Sequence, residues 1–343
     1  METSSGPSVF LYPESLRVFE KNIVFICGLP RSGTTWVAKA FDAHPSVFYL
    51  HEPDTINRPQ KISDWPSRDY TLEDRIEARL YFLDLLQTRG LKTVSSFPVF
   101  PKKYRSPTKH AIRIGLLGLA SGIEKLCSKS NFFHRLSIPS LMSGEAAPFI
   151  VIKSVSSFNR VGLFSDVMPF SKFIFVARNP FGQISSMLRG EGLYKFEDNN
   201  SDVSWVLRSK ISYDLGYDGQ NFNFLPRDEQ YAWQWAISTE HVMREFSARK
   251  NVIIVKHDDL SVYPEVNFEN LFQFSELDFN KSCRRFLSES MNPENTSNDY
   301  YGISKNSKHE VDKWKNSFSK NDIKRLSDIL SKSSMFRLFD YNV

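Results

Sequence analysis

Cysteine is scarce in this chain: Cys27, Cys127 and Cys283 are the only three among 343 residues. They are far apart and odd in number. Neither a disulfide framework nor a metal-ligand spacing is visible, and a reducing compartment is expected. The seven histidines form no ligand pattern either, so no metal is expected. No run approaches the ~18 uninterrupted apolar residues of a membrane span. The segment from Met1 to Glu20 has no basic start and no long apolar core, so no signal peptide is evident. These absences, with the starting methionine, lead us to expect a cytoplasmic protein. The net charge of +5 suits an anionic nucleotide but is too weak to argue for nucleic-acid binding. No internal repeat stands out. The 29 phenylalanines promise a large core and an aromatic-lined pocket.

Five short apolar runs read as buried parallel strands: Ile23–Cys27, Val47–Leu50, Phe149–Ile152, Phe173–Ala177 and Val252–Val255. Helical patterns separate most of them, which argues for a parallel sheet with helices on both faces. Thr71 to Thr88 reads as an amphipathic helix with Ile76, Leu80, Leu83 and Leu86 on one stripe, capped by Thr71 and closed by Gly90. Further helices are expected from Thr108 to Cys127, opened by Pro107, from Asp228 to Lys250, and from Asn321 to Leu330. The fold class is therefore α/β: one three-layer domain over 1–343, P-loop NTPase-like. A helical insertion at about 55–148 is expected over one edge of the sheet. Residues 190–224, rich in Asn, Asp, Gly and Tyr, read as a long mobile loop over an acceptor site.

The most informative run is Gly28-Leu29-Pro30-Arg31-Ser32-Gly33-Thr34-Thr35-Trp36. It joins the first strand to a helix, and such a junction holds an anion with backbone N–H groups and the positive end of the helix dipole. Gly28 and Gly33 are spaced as in a P-loop. Thr34 stands where an ATP- or GTP-binding loop needs lysine, and Arg31 is the basic residue instead. Hydrolysis of a nucleoside triphosphate is therefore not expected. A second run, Lys172 to Pro180 and on to Ser185-Ser186, reads as a buried strand ending in a polar turn and a helix. Arg178 falls at the carboxyl end of the strand, where open α/β sheets place ligands. Ser186 lies about two helical turns further on.

Pro30-Arg31-Ser32-Gly33-Thr34-Thr35-Trp36 resembles the 5′-phosphosulfate loop of sulfotransferases that use 3′-phosphoadenosine 5′-phosphosulfate (PAPS). Arg178 and Ser186 resemble the family's grip on the 3′-phosphate. The resemblance implies PAPS as co-substrate, 3′-phosphoadenosine 5′-phosphate (PAP) as product, and no metal. It implies nucleotide contacts from Arg31, Ser32, Gly33, Thr34 and Thr35, with Trp36 stacked on adenine or packed in the core. Arg31 and Lys153 are the cations expected around the sulfate; arginine in the loop is similar to a carbohydrate-acting branch. The histidine base of the cytosolic steroid and phenol branch is replaced by Val155. The run Phe48-Tyr49-Leu50-His51-Glu52-Pro53 is similar to the glutamate segment of carbohydrate-type and bacterial members, which makes Glu52 the expected base and His51 the alternative. Ser304, Lys305 and Ser307, ahead of Lys313-Trp314-Lys315, resemble the family's loop over the 3′-phosphate. The acceptor implied is a small polar molecule, a secondary metabolite or a saccharide, sulfated on a hydroxyl or N–H. A P-loop kinase or NTPase, or an inactive PAP-binding protein, is the competing reading.

Overall fold

The computed structural model of the chain describes residues 14–66, 69–126, 137–142, 148–193, 203–217, 219–246, 249–292 and 311–339. Its centre is a sheet of five parallel strands: β1 Ile23–Cys27, β2 Val47–His51, β3 Phe149–Ser154, β4 Lys172–Ala177 and β5 Val252–Lys256. Their order is β2-β3-β1-β4-β5. All five lie on the apolar runs read from the sequence. Three of them run one or two residues further, adding His51, Lys153, Ser154 and Lys256. These polar ends all lie at the carboxyl edge. The chain leaves β1 toward β2 on one side and reaches β4 on the other, so the connection after β1 opens at the switch point where such sheets bind ligands.

Strand alternation gives the sheet two buried faces. Ile23, Phe25 and Cys27 of β1 point into one core, and Val24 and Ile26 into the other. The second core is closed by α2 Thr34–Asp42, α12 Pro264–Phe274 and α13 Lys281–Met291, with Phe41 stacked on Phe272 at 4.3 Å. On the first face lie α4 Leu72–Leu85, α7 Val161–Val167 and α10 Arg227–Phe246. Phe82 of α4 meets Phe25 at 5.7 Å, Phe164 at 5.4 Å and Phe173 at 6.0 Å. Burying one such ring contributes about 1.5–3 kcal/mol.

That contact corrects the expected stripe on α4. Its buried residues are Ala78, Phe82 and Leu85; of the expected stripe Ile76 and Leu80 are exposed, Leu83 is partly buried and Leu86, just past the helix, is buried. Two apolar rows compete on this helix, and the row with the large ring faces the sheet. Thr71 caps the helix with a capping box, as its sequence predicts. Gly90 does not close it: Gly90 opens the short helix α5 Leu91–Val94 and bridges to Ser137. The stretch around 55–148 is thus divided. Through Phe82, α4 belongs to the layer over the middle of the sheet. Helix α5 packs on edge strand β2, and α6 Pro107–Leu126 follows beyond α5.

Stretch 190–224 also carries more structure than a plain loop. Helix α8, Pro180–Gly192, runs into it, and Ser204–Arg208, α9 Ile211–Asp214 and Phe222–Phe224 are helical turns. Val203, Val206, Ile211, Leu215 and Phe222 are buried and tie them to the core. The polar composition hid these spaced apolar anchors. Cys27 and Cys283 are buried free thiols; Cys127 lies outside the described residues.

Candidate active site

The loop after β1 folds tightly because two glycines leave no room for a side chain. A Cβ on Gly28 would press on Ser32 Oγ and the Val176 carbonyl. A Cβ on Gly33 would overlap the ring of His257, and Gly33 has φ +91° where it caps α2. Arg31 also takes a left-handed conformation, φ +68°. The loop is held from β4 and α8. Arg178 Nη1 donates to the Arg31 carbonyl at 2.9 Å, and Gln183 Nε2 donates to the Pro30 carbonyl at 2.9 Å. Arg31 Nε donates to Ser186 Oγ at 3.2 Å. The two sequence segments that carried the resemblance, 147 residues apart at Arg31 and Arg178, therefore meet.

Ser32 is buried, and its Oγ has no hydrogen-bond partner among the described residues. Leaving a buried hydroxyl unpaired costs about 1–3 kcal/mol, so this atom fits a ligand seated in the loop. Helix α2 begins at Thr34, directly after this serine and Gly33, and a helix N-terminus favours an anion. The residues present thus fit a bound phosphosulfate group. Trp36 is buried, with its ring edge-on to Phe268 at 5.1 Å and its Nε1 donating to Ser290 Oγ at 2.9 Å. The indole thus packs among α12 and α13. Thr34 is buried at the start of α2, and Thr35 is half-buried beside it.

On the other side of β1, β2 and β3 bring the remaining candidates together. His51 and Lys153 are opposite each other in register, and Glu52 N donates to the Lys153 carbonyl at 2.7 Å. Glu52 then turns left-handed, φ +45°, and its carboxylate accepts from Lys153 Nζ. Burial opposes the charge on Glu52. The Lys153 ammonium, aided by His51 and Lys92, outweighs it and holds the carboxyl at about 2. His51 is pushed down to about 3, first by burial and then by Lys153. It is neutral at pH 7, bonded through Nδ1 to the Tyr49 hydroxyl at 2.8 Å, with Nε2 3.9 Å from Glu52. Next to them, Asp54 accepts from Ser154 and Ser157, and burial raises its pKa.

Sequence reading missed three members of this neighbourhood. His257 and Asp258 follow β5; the first presses on Gly33, and the second accepts from Asn179 N at 3.1 Å. Gln183 is the third. The signal was available: His257 and Asp258 stand at the carboxyl end of a predicted strand, the position that singled out Arg178. Trp314 stacks on Phe181 at 4.8 Å, and Ser185 donates to Ser317 at 2.9 Å, which docks the C-terminal segment on α8 beside Arg178. Ser304, Lys305 and Ser307 lie outside the described residues.

A profile described as the sulfotransferase family matches residues 23–281. The chain belongs to this family. No curated protein is significantly similar in sequence. Among solved structures, the sulfotransferase domain of a Synechococcus olefin synthase is 14% identical, covering 93% of this chain and 95% of that one, with a TM-score of 0.44. Sulfotransferase STF9 of Mycobacterium avium is 11% identical over 94% of this chain and 78% of its own, TM-score 0.45. A mouse sulfotransferase solved with PAP is 13% identical over 95% and 92%, TM-score 0.42. The sulfotransferase profile spans every strand and the segments carrying Arg31, Glu52, Lys153, Arg178 and Ser186. Among the described residues no group of side chains is arranged to hold a metal, and no helix is long and apolar enough to cross a membrane.

Proposed function

We propose that this sulfotransferase moves the sulfuryl group of PAPS to a hydroxyl or N–H of a small polar molecule, a secondary metabolite or a saccharide. The observation that carries this reading is the Glu52–Lys153 pair at the ends of adjacent strands, beside a loop with an unpartnered Ser32 hydroxyl. Loop 28–35 would hold the 5′-phosphosulfate, and Arg178 with Ser186 the 3′-phosphate. Bound there, the nucleotide supplies an activated sulfuryl group with PAP as leaving group. Cysteine usage leads us to place the reaction in the cytoplasm.

Glu52 is the base in this reading. Its low pKa in the ion pair makes it a weak one, because proton transfer is most efficient from a base whose pKa is near the working pH. Lys153 provides the remedy. Its ammonium is the main charge stabilising the Glu52 carboxylate. When Lys153 turns toward anionic oxygens in the loop, Glu52 loses that support and its proton affinity rises. Lys153 then stabilises charge on the transferring group while Glu52 takes the acceptor proton. His51, neutral and bonded to the Tyr49 hydroxyl, flanks the carboxylate at 3.9 Å.

The test is transfer of label from PAPS to a panel of hydroxyl and amine acceptors, run with PAP and Mg-ATP binding measurements. Labelled product with tight PAP binding is expected. Tight PAP binding without transfer to any acceptor would favour an inactive PAP-binding protein. Tight Mg-ATP binding with hydrolysis would favour a P-loop NTPase.

A further inference from the structure

Helix α6 carries an apolar surface far larger than its packing uses. Among the described residues of its central turns, Arg113, Leu117 and Ala120 are the buried ones, a strip of one helical face. Ile112, Leu116, Leu119 and Ile123 are 52%, 36%, 68% and 45% exposed. Ile114 is exposed on the opposite flank, and between the flanks lie Gly115, Gly118 and Gly122, each facing open space. At 3.6 residues per turn these positions sweep an arc of about 200°.

The chain that leads into this helix is basic. Between Asp84 and Glu124 it has seven lysines and arginines and no aspartate or glutamate. Among the described residues only Lys102 of the seven is ion-paired, to Asp42. Lys103 feels the carboxylate of Asp278 without pairing. Arg105 and Arg113 are buried and donate to the Ser140 and Pro139 carbonyls, while Arg89 and Lys109 are half-buried and donate to carbonyls without an ion-pair partner among the described residues. Lys92 is exposed on α5.

We infer that α6 lies in the surface of an anionic lipid bilayer, with its aliphatic arc in the acyl boundary and the accessible cations Arg89, Lys92, Lys103 and Lys109 on the headgroups. A helix with a wide apolar arc and basic flanks binds membranes in this way. A second copy of the chain fits the surface less well. One partner helix covers about half of such an arc, and pairing two copies would bring two unneutralised basic clusters together. Helix α6 touches α5, and α5 packs on β2, which ends at His51 and Glu52. Docking would therefore hold the candidate active site close to the bilayer.

The experiment is flotation of the full chain with vesicles of phosphatidylcholine alone and with about 30 mol% phosphatidylglycerol added. Binding is expected only to the anionic vesicles, and it should weaken at about 0.5 M salt. Leu116→Glu/Leu119→Glu should lower partitioning by roughly tenfold or more. Lys103→Gln and Lys109→Gln should each lower it by roughly fivefold. Circular dichroism melts check that the variants fold. Equal binding to both vesicle types, or parental binding by the double leucine variant, would overturn the inference. So would failure to bind vesicles, including the case where light scattering shows a dimer that Leu119→Glu dissociates. Flotation needs no turnover, so its outcome is independent of the catalytic reading.

Discussion

Replacing Glu52 by glutamine keeps the side-chain shape and removes the charge that Lys153 faces. Lys153 is 3% exposed, and its ammonium has Glu52 as its carboxylate partner. Orphaning a buried charge costs about 3–5 kcal/mol. The lowered pKa of Glu52, with Lys153 the main charge outweighing burial, points in the same direction. With about 2.1 cal/mol/K of unfolding entropy per residue over a chain this long, a loss of that size lowers Tm by roughly 4 °C. Turnover should fall by about 10²-fold or more, because the amide accepts no proton, while PAP affinity holds. A double-mutant cycle separates the two effects. Glu52→Gln/Lys153→Met leaves no unpaired charge, so it should be more stable than Glu52→Gln alone, yet no more active. The measurements are thermal melts and steady-state kinetics on the four proteins. Additive stability changes would refute the coupled pair, and near-parental kcat in Glu52→Gln with none in His51→Ala would make His51 the base.

Other perturbations address the rest of the site. Arg178→Ala removes the donor to the loop carbonyl at Arg31 as well as a charge for the 3′-phosphate, so PAP binding by calorimetry should weaken by about 10–100-fold. Ser32→Ala removes a hydroxyl with no partner among the described residues; its Tm should stay at or above the parent's while PAP affinity drops several-fold, and unchanged affinity would show that the hydroxyl does not face the nucleotide. The Glu52 pKa is depressed in the folded state, so its stabilisation is present above about pH 4.5 and is lost as pH falls toward 2. Acid titration of stability should therefore be flatter in Glu52→Gln than in the parent across that window.

The strands and the two segments that meet at Arg31 and Arg178 were legible because they depend on local rules. An apolar run of five residues marks a strand, and glycines at fixed spacing mark a turn that only glycine can make, as Gly33 at φ +91° does. The places that were not legible depend on competition between distant groups. Ile76 and Leu80 made as good a stripe as Ala78, Phe82 and Leu85; only the presence of Phe25, Phe164 and Phe173 opposite decides between them. The strand ends were read one or two residues short because hydrophobicity stops where the site begins. His51, Lys153 and Lys256 are strand residues by hydrogen bonding and site-edge residues by chemistry. Trp36 shows the same limit: the sequence allowed a base-stacking or a core role, and Phe268 and Ser290 occupy its edge and its N–H.

Backbone strain marks the same edge. The non-glycine residues with positive φ are Arg31, Glu52, Leu141, Asn221 and Glu276 among those described, and two of the five are the loop cation and the candidate base. Each such turn costs about 1–3 kcal/mol for a side chain that prefers ordinary backbone. Each also does something an extended residue could not. At Arg31 the turn presents the carbonyl to Arg178 while the guanidinium reaches Ser186. At Glu52 it breaks the strand alternation that would carry the next side chain to the opposite face, and swings the carboxylate back to Lys153 on the neighbouring strand. Relaxing either turn would restore a smoother chain and separate the groups that meet there. The strain is retained where the charges converge, and the buried Phe25 and Phe41 cores beneath supply the stability that tolerates it.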